Sequence, residues 1–171
     1  MIRGLIEHSY WVVPKKLLAG EYPCSLDETE SRKKIRALID GGITAFIDLT
    51  HESDRLLPYA SFLKPFNGIF YERFPIRDVS VPDSKDTTAA ILRAIDSHMG
   101  NGRVVYVHCW GGIGRTGVIV GCWLAQNGFE GKAALKRLRE LWRHCPKSAL
   151  QNSPETPEQE RYIINWIPTR T

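Results

Sequence analysis

Residues 104–117 read VVYVHCWGGIGRTG. An apolar run, Val104 to Val107, leads into a glycine-rich loop, and a second apolar run, VIVGCWLA, follows from Val118. Strand, glycine loop and helix in that order make an anion cradle, because backbone N–H groups collect where a helix begins. Gly112–Gly117 also satisfies the dinucleotide pattern G-x-G-x-x-G, but its setting does not fit. That fingerprint opens a fold and is followed by a second strand with an acidic residue about 20 positions on. Here the loop comes late, and two helical patterns follow without a convincing strand. A Walker loop does not fit either, since Arg115 stands where its lysine would have to be.

The better reading starts from Cys109, at the end of the strand and the mouth of the cradle. Five residues separate it from Arg115. Glycine-rich loops at helix N-termini favour negative charge, and such sites lower cysteine pKa values from about 8.5 to roughly 3.5–7.5. A thiolate is a competent nucleophile without a partner base. Arg115 offers a planar fork for two oxygens of a phosphoryl group, a geometry that lysine cannot copy. Trp110, Gly111, Gly112, Ile113 and Gly114 form the cradle between them, and the glycines leave room for close approach of a ligand. A bland alternative, an inert buried thiol, leaves the cysteine-to-arginine spacing unexplained.

Outward from this stretch, strands and helices alternate. YWVVP near Tyr10 and LLAG near Leu17 read as two short strands joined by a lysine-rich turn. The pattern predicts a helix over 27–40, stopped by Gly41-Gly42, and a buried strand in ITAFIDL. Residues 51–68 read as irregular. IFYERFPI alternates as a strand, RDVSVPDS is a loop, and helices are expected over 85–99, after the cradle, over 130–145 and from Pro157. The fold class is α/β: one central, mostly parallel sheet of four to five strands with helices on both faces, in a single domain over 1–171. Ligands bind such sheets beyond the carboxyl ends of the strands. Loops beginning at Thr50, Arg77 and Cys109 are expected on that rim.

His108-Cys109 to Arg115-Thr116 resembles the H-C-x5-R-S/T signature of the cysteine-dependent protein tyrosine phosphatases. The short chain without a Trp-Pro-Asp acid loop is similar to the compact dual-specificity branch, as are the flanking blocks AGEYP, GITAFIDLT, FPIRDVSVPD and SPETPEQE. The resemblance implies a phosphomonoesterase that forms a cysteinyl-phosphate intermediate on phosphotyrosine, and on phosphoserine or phosphothreonine, with no metal and no cofactor. It implies that Thr116 stabilises the departing thiolate and that His108 orders the loop through hydrogen bonds. The family's Pro-x-x-Asp position gives Asp78 as general acid. Asp83 is the reserve, although a place before a helix suits it as an N-cap. A C-terminal glutamine near the hydrolytic water is also implied, and Gln159 matches in kind. Yet Thr156-Pro157-Glu158-Gln159 is also a capping box with proline at the first helical position, so both readings of Gln159 stand.

Composition sets the outer bounds. The 171 residues hold one core, and a net charge of +4 suits phosphorylated ligands without the basic stripe of a dedicated nucleic-acid binder. Lys132, Lys136, Arg139 and Arg143 share a helix face that reads as solvated. Cys24, Cys109, Cys122 and Cys145 are too scattered for a zinc site or a disulfide scaffold, and Cys24, Cys122 and Cys145 read as core or incidental thiols. With no secretory leader or membrane-length apolar run, a cytoplasmic monomer is expected, without membrane or stable nucleic-acid partners. The expected partner is a phosphorylated protein. An RNA 5′-phosphatase, an inositol-phosphate phosphatase and a catalytically silent phosphate-binding module remain as alternatives. The loop's lack of lysines argues against a polyphosphoinositide substrate.

Overall fold

The computed structural model describes residues 4–168. Five strands form one sheet: β1 (Ser9–Val13), β2 (Leu17–Gly20), β3 (Ile43–Asp48), β4 (Phe70–Arg73) and β5 (Val104–His108). Their order is β1-β2-β5-β3-β4. Only β1 runs antiparallel, because a three-residue turn joins it to β2, whereas the other strands are reached by longer connections. The helices are α1 (Glu28–Asp40), α2 (Ala60–Leu63), α3 (Lys85–Gly100), α4 (Gly114–Gln126), α5 (Lys132–Trp142) and α6 (Pro157–Ile164). The α/β reading with a mostly parallel sheet therefore holds.

Strand alternation divides the core between the two faces. Val105, Val107, Ala45 and Ile47 point into a cluster with Ile91 and Ile95 of α3, Val118 and Cys122 of α4, Leu138 of α5 and Ile163 of α6. Tyr106, Phe46 and Leu18 point the other way, against Ile35 and Leu38 of α1 and Leu63 of α2. Helix α4 lies on the first of these faces and is buried from Gly114 to Ala125. That explains why its sequence is apolar all round rather than striped.

Three local expectations shift. The strand expected over IFYERFPI is only four residues long and mostly exposed, since it pairs on one side alone. Pro75 has no N–H to extend the ladder, although Phe74 and Ile76 still donate to Asp48 and Leu49. Asp83 is not the cap of α3: Ser84 holds that place and accepts from the N–H of Thr87. Helix α5 ends at Trp142, and Cys145 instead opens a short 3-10 turn over Pro146–Ala149.

Gly121 lets α6 lie close on α4. A Cβ there would sit 2.5 Å from Cδ1 and 2.9 Å from Cγ2 of Ile163, a side chain that is itself fully buried. Gly121→Val should overpack this contact and cost about 1–3 kcal/mol, read as a lowered midpoint in chemical denaturation. Gly128→Ala, in open space at the far end of α4, is the control for generic glycine effects on the helix hairpin; its own cost comes from a φ of +100° rather than from packing.

Candidate active site

In the loop after β5, four carbonyls are each held by a different part of the protein. Leu49 N–H donates to His108 O, Tyr22 N–H to Trp110 O at 2.8 Å, and Lys147 Nζ to Gly111 O at 2.9 Å. Ser153 Oγ, fully buried, donates to Ile113 O at 2.7 Å. Within the described residues, the N–H groups from Trp110 to Thr116 donate to no protein acceptor. Helix α4 begins at Gly114, and its N-cap, Ile113, provides no side-chain cap. Tied carbonyls and free amides at a helix start are the elements of an anion nest.

Two glycines are required by close approach. Gly112 has φ +74°, and a Cβ on it would meet the Gly20 carbonyl oxygen at 2.6 Å. This backbone-to-backbone contact seats the loop on the end of β2. At Gly114 a Cβ would collide with Glu155 Oε1 and lie 2.8 Å from Gln159 Nε2. The C-terminal segment therefore crosses directly over the start of α4.

Cys109 and Arg115 are both buried, at 2% and 1% exposure. Arg115 Nη1 donates to Asp54 Oδ2 at 2.6 Å and to Ile76 O at 3.0 Å. Asp78 Oδ1 lies 2.8 Å from Nη2 as an ion pair, but without hydrogen-bond alignment. Nε and Nη2 are consequently buried donors without an acceptor in the protein, and so is the Thr116 hydroxyl. Burial opposes the guanidinium charge, but the neighbouring Cys109, Asp54 and Asp78 outweigh it and hold the pKa above the ordinary arginine value. Nε and Nη2 form the edge that grips two oxygens of an oxyanion.

The three loops expected on the rim thus converge: one brings Asp54, one Asp78, and one Cys109 with Arg115. Asp54 was not anticipated, because HESD carries no motif. Its loop was flagged by position, but only tertiary contact shows that its side chain, 2% exposed, meets Arg115. His108 is fully buried. Its Nε2 meets Tyr59 O–H at 2.6 Å and its Nδ1 meets Cys109 O at 3.1 Å, so Nδ1 carries the proton in this network. Burial pushes its pKa down, with Asp48 opposing and Arg115 assisting. A neutral ring serves as a brace for the loop.

Asp83 is exposed, and no hydrogen bond or ion pair joins it to the cradle among the described residues. Gln159 is fully buried and engaged. Its Oε1 accepts from the N–H groups of Glu155 and Thr156, and its Nε2 donates to Ser80 O in the Asp78 loop at 2.9 Å. Thr156 closes the capping box. Glu155 borders the same rim; burial and the Asp78 charge push its pKa up, with Arg115 opposing. Arg139 of the basic stripe pairs with Glu160, and no member of the stripe bonds to the loop. Among the described residues no group of three or more His, Cys, Asp or Glu is placed to hold a metal ion, and no helix is long and apolar enough to cross a membrane.

The family described as polymorphic toxin system, DSP-PTPase phosphatase matches residues 25–129, a span containing all three loops. The chain belongs to this phosphatase family. It is 29% identical over 171 residues to protein 067L of Invertebrate iridescent virus 3, named as a tyrosine phosphatase, in a match covering 94% of this chain and 65% of that protein. The chain therefore spans less than two thirds of that relative's length. Among solved structures, Tk-PTP in its active form is similar with a TM-score of 0.70 at 24% identity, covering 91% of this chain and 92% of that one. Kinase-associated phosphatase, with serine in place of its catalytic-site cysteine, gives 0.72 at 20% identity, covering 86% and 83%. These likenesses establish the shared fold. The loop braces Lys147 and Ser153, with Glu155 and Gln159, lie beyond the span of the family match.

Lys147 is steadied by Glu21, which lies 3.0 Å from Lys147 Nζ and 2.7 Å from Lys34 Nζ. Burial alone would raise the Glu21 pKa, but hydrogen bonds and charge from Lys34 and Lys147 bring it below the ordinary value. A depressed carboxyl stabilises the fold above its unfolded pKa, and loses that contribution as pH falls through the folded value. Glu21→Gln should therefore lower the melting temperature most near neutral pH. The gap to the parent should close as pH drops below about 4, checked by thermal denaturation across pH.

Proposed function

We propose that this chain is a phosphomonoesterase that works through a Cys109 phosphothiol intermediate. The observation that carries this reading is the unsatisfied Nε/Nη2 edge of buried Arg115, beside Cys109 and below a ring of free backbone N–H groups. Buried groups that donate to nothing inside the protein are the ones an entering oxyanion would pair.

In the first step the Cys109 thiolate attacks phosphorus. The S–P bond forms, the P–O ester bond breaks, and Asp78 gives its proton to the leaving oxygen. The phosphoryl charge spreads over three oxygens met by the loop amides and Arg115. Asp78 is held at Arg115 Nη2, the edge that the phosphoryl group takes, so substrate entry releases it toward the leaving group. In the second step water attacks phosphorus, its proton passes to Asp78, and the S–P bond breaks. Thr116 Oγ1, buried and unpartnered in the first turn of α4, donates to the sulfur as it departs.

Gln159 supports this cycle by positioning, since its amide ties the α6 cap to Ser80 in the acid loop. Asp83, exposed and without a hydrogen bond or ion pair among the described residues, offers no comparable tie to the site. Phosphotyrosine is the leading substrate, with phosphoserine and phosphothreonine in the same class. The absence of lysine between Cys109 and Arg115 favours a singly phosphorylated group.

Cys109→Ser should lower p-nitrophenyl phosphate hydrolysis in chelator by roughly 10³-fold or more; turnover that persists would overturn the assignment. Asp78→Asn separates the acid from the cradle. It should slow phenyl phosphate, a poor leaving group, by about 10²-fold or more, while p-nitrophenyl phosphate suffers far less. Equal losses on both would remove Asp78 from the acid role.

A further inference from the structure

Trp110 follows the nucleophile directly, yet its side chain is 54% exposed. It does not pack into the core, and it forms one wall of a groove of about 310 Å³ beside the cradle. Leu56, Leu57, Tyr22, Cys24 and Leu26 complete the apolar lining. Leu26 is 92% exposed and Leu57 56%. Three of the large apolar side chains that this protein leaves in water therefore converge on one depression. Scattered exposed leucines need no explanation, but a contiguous apolar concavity marks a contact site.

The groove is pre-organised. Tyr22 donates its N–H to Trp110 O at 2.8 Å and its O–H to Leu57 O at 2.8 Å, so one side chain and its backbone pin both walls. Ser31 Oγ accepts from Ser25 N–H at 2.9 Å and ties the third wall to α1. Arg55 stands at the rim, exposed, with φ +52° and no carboxylate partner among the described residues. Its neighbour Asp54 is fixed on Arg115, so the same short turn serves the cradle and the groove.

We propose that this groove is a docking subsite for an apolar side chain adjoining the phosphorylated residue of a polypeptide substrate. The proposal rests on the phosphatase reading and adds a substrate feature to it. Trp110 belongs to both the cradle loop and the groove, so a phosphorylated residue gripped by Arg115 holds its chain neighbour against Trp110. The lining is apolar and the volume is at the small end for ligand pockets, which suits one or two side chains. Arg55 offers its guanidinium to a carbonyl or carboxylate of the same segment. Rigid walls lower the ordering cost of such a contact.

The test uses two phosphotyrosine peptides that differ only in a leucine or a glycine beside the phosphotyrosine. Burying a leucine side chain should favour the first by about tenfold in kcat/KM. The double variant Leu26→Asp/Leu57→Asp alters two exposed side chains. It should abolish the preference through KM, with kcat and p-nitrophenyl phosphate turnover unchanged. Absence of the preference in the parent protein, or its survival in the double variant, overturns the subsite while Cys109-dependent turnover still supports the phosphatase. Fluorescence anisotropy of the same peptides on Cys109→Ser separates the two readings in the other direction. A leucine preference in binding, abolished by the double change, supports the subsite even where no substrate is turned over. A double variant that loses only binding to vesicles containing phosphatidylinositol phosphate, and keeps the peptide preference, assigns the groove to lipid and overturns the proposal.

Discussion

A guanidinium buried to 1% exposure is the constraint around which this molecule is arranged. An arginine cannot shed its proton to relieve the cost of burial, so the fold must surround it with acceptors. Asp54 and Ile76 O take Nη1, Asp78 faces Nη2, and Nε is left without an acceptor in the protein. The acceptors come from two separate segments, after β3 and after β4, and meet the arginine carried by the segment after β5. Their meeting requires β3 to lie between β5 and β4, which is the observed order. Strand order is thus linked to the chemistry through one side chain.

The glycine loop obeys a complementary rule. Its amides can face inward only if its carbonyls are satisfied outside, and four unrelated partners do this: Leu49, Tyr22, Lys147 and Ser153. Two of those partners come from the segment after α5, whose irregular course is explained by the groups it delivers. Lys147 relies on Glu21, and Glu21 on Lys34 of α1, so a chain of charge runs from a surface helix to the loop backbone. His108 contributes as a neutral, buried brace between Tyr59 and the Cys109 carbonyl.

Much of this was legible in the sequence because it depends on local chemistry. The β-branched run before Cys109, the cysteine-to-arginine spacing and the capping box at Thr156 announce a strand, a cradle and a helix start without reference to distant residues. Asp54, Lys147 and Ser153 were not legible, because each acts through a contact 36 or more residues away. No residue type in HESD or PKSA distinguishes a ligand of the site from a solvated polar residue. Asp83 shows the converse error: aspartate before a helix is a sound cap by type, but Ser84 was one position better placed. The edge strand was read too long because alternation in IFYERFPI continues past Pro75, where the ladder ends.

The sequence by itself determined the nature of the fold and its cradle, since periodicity, glycine spacing and the Cys109–Arg115 interval are local and physically demanding. The tertiary structure decided which carboxylates face Arg115, which carbonyls are tied back, and which apolar side chains remain exposed beside Trp110. Those outcomes depend on the relative placement of loops at the ends of non-adjacent strands, and that placement is set by sheet order and core packing rather than by any motif within a loop.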